Sequence, residues 1–230
     1  MLWMKAWLET RWRLLYAAGL PLAMLLLQLA SGGLASMKAV NMAMFVISMF
    51  LVFAAVYLAG AGIRTQSGIQ ALPGLHGSTY YTLSLPVSRL HLLAMRTMCG
   101  LLELAAINLI ILVSAWSMSA AMRAHSTPFD LLQLVFSATV CTAGFYFVSV
   151  LLAAFLSETG QIFGSFLLLG LLWLSMNRLG LPSSLNPFSF GGDASPLVTH
   201  VLPCGAMAVS VAASVILFFA AWKIIEAREY

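Results

Sequence analysis

Six apolar runs dominate the chain, at Leu14 to Ala30, Val40 to Ala61, Met98 to Met118, Leu131 to Leu156, Ile162 to Met176 and Cys204 to Trp222. A helix needs roughly 20 apolar residues to cross the hydrocarbon core of a bilayer. Most of these runs reach that length; the first and fifth are short. Within lipid each span must satisfy its own backbone groups, which leaves the α-helix as the form for every run. The pattern therefore predicts an all-α integral membrane protein with six transmembrane helices in a single domain, residues 1–230. Pro21 in the first run is compatible with this, because neighbouring groups in a membrane bundle can cover the carbonyl it frees.

Ahead of the first run, residues 1–13 place Trp3, Trp7 and Leu8 on one helical face and Lys5, Glu9 and Arg13 away from it. That pattern predicts an amphipathic interfacial helix. A basic stretch before an apolar run is also the layout of a cleaved signal peptide; the one-sided aromatic face favours an interfacial helix leading into a retained span. Two connections are long enough to hold structure outside the bilayer, residues 62–97 and 177–203. The second contains Pro182, Pro187, Pro196 and Pro203, which forbid one long helix, together with Leu185, Phe188 and Phe190. Short helices or turns lying over the mouth of the bundle are expected there.

Composition agrees. Of 230 residues, 62% are hydrophobic and 8% charged, where a soluble domain has about 25% charged. The net charge of +4 comes with no basic patch or nucleic-acid module, so no nucleic-acid partner is expected. Lys5, Arg11, Arg13, Arg64, Arg89, Arg96, Lys223 and Arg228 fall on one side of the six spans, and Lys38, Arg123 and Arg178 on the other. By the positive-inside rule, that imbalance places both termini in the cytoplasm, with residues 62–97 cytoplasmic and residues 177–203 external. Cys99, Cys141 and Cys204 are odd in number and far apart, and read as small buried hydrophobes.

Enzyme signatures are sparse. Lys5, Lys38 and Lys223 follow Met4, Met37 and Trp222, so none completes the Gly-Lys-Ser/Thr of a phosphate-binding loop. The four histidines are isolated and mostly in loops. No histidine falls in a predicted span to activate Ser165, the one candidate intramembrane nucleophile. Gly160 and Gly164, beside it, form a small-xxx-small pair that lets another helix approach closely, within the chain or between two copies. Ser210 and Ser214 offer a similar face. Neither catalytic residues nor a cofactor or metal site is expected.

Ionisable groups inside a membrane are costly and mark candidate functional positions. Glu103 is the one acid predicted within a span. Arg96 lies seven residues earlier on nearly the same face, with Gly100 between them. The pair reads either as a partly hydrated salt bridge or as a gate or coupling contact. Gln28, Asn108, Ser114, Ser137, Thr139, Thr142, Tyr146 and Ser149 also lie within spans, where interhelical hydrogen bonds explain most of them. They do not form the continuous hydrophilic lining of an ion channel or sugar permease, so an amphipathic or lipid-like substrate suits the walls better.

The stretch from Gly77 to Leu90 carries the most information. A polar cap and an amphipathic piece end at Pro86, and Ser88 can cap a new helix starting near Arg89 and running through Arg96 into the third span. In order, Gly77, Ser78, Leu83, Pro86, Val87, Ser88 and Arg89 resemble the Gly-Thr/Ser … Leu-x-x-Pro-Val/Ile-Ser-Arg run of the permease subunits of type-two ABC transporters, the six-helix ABC exporter family. The number of spans, the N-terminal helix, the tight link between the fourth and fifth spans, the structured segment before the sixth and the charged tail from Glu226 to Tyr230 resemble the same family. Residues Thr65 to His76 lack the acidic side chains the family carries there.

The resemblance implies a permease in a bacterial plasma (inner) membrane, paired with a second permease subunit as a homo- or heterodimer. It further implies a soluble ABC ATPase subunit that binds ATP and Mg, with Gly77 to Arg89 as the ATPase-coupling segment. Two other readings stay open: a membrane scaffold or sensor subunit that transports nothing, and an intramembrane enzyme.

Overall fold

The computed structural model describes residues 2–59, 88–180, 182–192 and 195–227. Among these residues the chain is helical throughout its regular parts. Eight α-helices occur in order: α1 (Leu2–Ala30), α2 (Met37–Ala59), α3 (Arg89–Met118), α4 (Ala120–His125), α5 (Pro128–Ala153), α6 (Glu158–Arg178), α7 (Pro196–Thr199) and α8 (Cys204–Ala227). Six of them, α1, α2, α3, α5, α6 and α8, are long and apolar enough to cross a membrane.

Helix ends follow local chemistry. Ser88 caps α3, its hydroxyl accepting from His91 N at 3.2 Å, so the helix starts at Arg89. Ser119 ends α3 and caps α4 in turn. Thr127 and Asp130 form a reciprocal capping box at α5, with Pro128 in its first turn. That satisfies two of the backbone donors a helix start leaves open. Ser157 caps α6 after a tight link from α5.

α1 runs unbroken from Leu2 to Ala30, with no boundary at residue 13 to separate an interfacial piece from a span. Arg13, expected on the polar face, is 92% buried (8% exposed), with its guanidinium 6.0 Å from the Tyr57 ring of α2. The long aliphatic stem and planar head of an arginine allow such burial over an aromatic face.

α5 is the hub of the bundle, packing against α2, α3, α6, α7 and α8. Its contact with α8 is close because Gly144 has no side chain: a β-carbon there would lie 3.4 Å from Cβ and 3.5 Å from Cα of Ser210. Ser210, one of the small residues noted in the sequence, thus packs against α5 within this chain. Gly164 of α6 faces Leu152 and Leu156 at the end of α5, with 3.3 Å between a notional β-carbon and Leu156 Cδ1. Gly160 meets Ser157 and Leu156.

Two contacts mark one end of the bundle and one marks the other. At one, Ser119 Oγ donates to Leu34 O at 2.9 Å, and His200 Nδ1 lies 3.2 Å from Asp130 Oδ2. This end carries the α1–α2 connection, α4 and the segment after α6, and with them Lys38, Arg123 and Arg178. At the other, Gln161 Nε2 donates to Val56 O at 3.1 Å, tying the start of α6 to the last turn of α2.

The segment between α6 and α8 forms short helices, as its prolines predict: 3-10 turns at Ser183–Leu185 and Pro187–Gly191, then α7. It is packed into the bundle. Phe188 stacks on Phe145 at 4.5 Å between centroids, and Phe190 is 2% exposed. Gly191 sits so close to α2 that a β-carbon would be 2.9 Å from Met44 O; only glycine fits this approach.

Candidate functional site

Between α3 and α5, polar groups meet in an otherwise apolar contact. Glu103 is 4% exposed. The continuous α3 places it 14 residues beyond Arg89, about 21 Å along the axis at the helical rise. Cys99, one turn earlier, points its thiol at Glu103 Oε1 at 3.7 Å. From α5, the fully buried Tyr146 lies in electrostatic range of both side chains.

Gly100 makes the arrangement possible. Tyr146 lies against it so tightly that a β-carbon would come within 2.9 Å of the ring carbons Cε2 and Cζ, and closer still to the hydroxyl. A carboxyl at this depth is expensive to ionise without compensation. Arg96 is half-buried on α3 two turns before Glu103.

A second polar contact lies farther along the same interface. Asn108, completely buried, donates from Nδ2 to Thr142 Oγ1 at 3.0 Å and to Thr139 Oγ1 at 3.4 Å. A third joins α5 to α6: Ser149 Oγ donates to Ser165 Oγ at 2.8 Å, both residues fully buried. The candidate nucleophile Ser165 is thus held in a helix–helix hydrogen bond. Other intramembrane hydroxyls turn back on their own helices, Ser137 to Leu134 O and Thr139 to Val135 O.

Of the residues singled out in the coupling run, Ser88 and Arg89 are at the start of α3. Gly77, Ser78, Leu83, Pro86 and Val87 lie outside the described residues. Sequence reasoning noted Tyr146 as an intramembrane polar residue and missed its packing on Gly100. It also missed the capping box, although Thr127-x-x-Asp130 before an apolar run is the signal for one. Among the described residues, no three His, Cys, Asp or Glu side chains converge as a metal site would require.

Six apolar helices of spanning length, with polar side chains buried between them, define a multi-pass membrane protein. No family model, curated protein or solved structure matches the chain.

Proposed function

We propose that this chain is the membrane-spanning permease subunit of an ABC transporter, moving an amphipathic or lipid-like substrate outward with ATP hydrolysed by a separate soluble subunit. The observation that carries the reading is α3. It begins at Arg89, immediately after the Leu83-Pro86-Val87-Ser88 run, and its 30 residues continue without a break past the Gly100–Tyr146 contact and Glu103. A rigid helix anchored at the coupling run can transmit displacement of its end into the α3–α5 interface, where Gly100 and Tyr146 permit little sliding. Such a rod converts closure of paired ATPases into a change of packing between two states.

Glu103 and Arg96 are then coupling or gating groups, and the segment from Gln66 to Arg89 the surface on which the ATPase sits. Both termini face the cytoplasm, in a bacterial inner membrane, and two permease subunits share the complex. Gly160 and Gly164 serve packing inside each subunit.

The reading is tested by affinity purification of the tagged chain in mild detergent, followed by mass spectrometry. The expected result is a soluble protein with a phosphate-binding loop, at about one copy per permease. In the reconstituted complex, the double variant Pro86→Ala/Arg89→Ala should insert normally yet lose stimulation of the ATPase. Reproducible absence of any ATPase from folded preparations would instead favour a scaffold subunit.

A further inference from the structure

On the flank of the bundle, α3 and α8 part to leave an open cleft of about 270 Å³, lined by Ala94, Thr97, Leu101, Phe147, Ser214 and Phe218, with Met98, Val215 and Phe219 at the rim. Its two polar liners present carbon only. The Thr97 hydroxyl donates to Leu93 O and Ala94 O at 3.0 Å each, and Ser214 Oγ donates to Ser210 O at 2.7 Å. With both hydroxyl protons engaged in their own helices, the walls offer a ligand no free side-chain donor, and their surface is almost wholly apolar. The volume falls below the ~300–1,000 Å³ typical of sites for compact drug-sized molecules, and the cleft opens sideways between two spanning helices, where the surrounding phase is hydrocarbon.

Charge marks one end. Phe219 touches Trp222 edge-on at 6.0 Å between centroids, and Lys223, one turn beyond Phe219, holds its ammonium 4.6 Å from the Trp222 ring. Its ion pair with Glu226, at 3.0 Å, is exposed on both sides and therefore weak. A lysine stacked on tryptophan near the end of a spanning helix is the combination found where headgroups meet the bilayer surface.

We propose that this cleft binds one acyl chain of an anionic phospholipid, with the headgroup phosphate at Lys223. The chain lies along the groove from Phe219 toward Leu101, against the aromatic series Phe147, Phe218 and Phe219. Thr97 and Leu101 lie beside Gly100 on α3, so an occupied cleft supports the helix next to the Gly100–Tyr146 contact. The assignment stands on the spanning helices and not on the transporter reading; either can fail without the other.

The test uses the full chain in phosphatidylcholine nanodiscs containing a little phosphatidylglycerol with a photoreactive diazirine on one acyl chain, labelled sites being mapped by mass spectrometry. Met98, Leu101, Val215 and Phe219 should be labelled well above Leu167 and Leu171 of α6, which are 67% and 56% exposed and report ordinary boundary lipid. Ser214→Phe, or Ala94→Phe should that variant not fold, fills the cleft and should lower labelling there to the α6 level. Lys223→Glu should cut phosphatidylglycerol labelling by more than about fivefold, the factor expected from losing one basic residue near an anionic headgroup without the added negative charge, and leave a phosphatidylcholine probe unchanged. Equal labelling of cleft and α6, undiminished labelling in a folded filled variant, or indifference to Lys223→Glu would overturn the proposal.

Discussion

The ring of Tyr146 on α5 rests directly on the backbone of Gly100 on α3, with no room for a single methyl group between them. The same ring lies in range of Glu103, the buried acid of the third span. Steric fit and a buried carboxyl therefore meet in one stretch of the helix interface.

Gly100→Ala should destabilise the protein by about 1–3 kcal/mol, the usual consequence of overpacking. On an unobstructed helix the same change would gain up to ~1 kcal/mol from propensity, so a measured loss isolates the clash. Tyr146→Leu in the Gly100→Ala background should restore part of the loss. Thermal unfolding in detergent measures both; a stabilised Gly100→Ala protein would mean that α3 and α5 are not this close.

The Asn108 contact predicts a non-additive pair. Thr142→Val removes the acceptor at 3.0 Å and leaves the amide with Thr139 at 3.4 Å. An unsatisfied buried donor costs about 1–3 kcal/mol, whereas replacing both partners with apolar groups is nearly neutral. The double variant Asn108→Leu/Thr142→Val should accordingly be no less stable than Thr142→Val alone, as a double-mutant cycle will read. Strict additivity would refute the hydrogen bond.

On α6, two glycines should respond in opposite ways. Gly164 faces Leu152 and Leu156, while nothing lies within 4 Å of a β-carbon at Gly170. Gly164→Leu should lower stability by about 1–3 kcal/mol through overpacking, and Gly170→Leu should be neutral or stabilising. Equal effects at both positions would remove the packing role of the Gly160/Gly164 pair within the subunit.

Length and composition suffice to specify a six-helix membrane architecture, because an apolar run of spanning length has one favourable environment, the lipid interior, and one backbone form there, the helix. Boundaries governed by short-range chemistry were legible for the same reason: Ser88 starts α3 and the proline-rich segment breaks into short helices because caps and ring constraints act over three or four residues. Spans expected at Leu131 and Ile162 begin earlier, at Pro128 and Glu158, where polar caps continue the helix beyond its apolar run.

What tertiary structure alone decided is which faces meet. An intramembrane helix is apolar nearly all round, so its periodicity does not reveal its neighbours. Arg13 over Tyr57, Ser149 on Ser165, Asn108 between two threonines and Tyr146 on Gly100 are pairings of residues 16 to 46 positions apart. They follow from the shapes of whole helices: where small residues let backbones approach, the remaining polar groups must find each other, since no water is there to replace them.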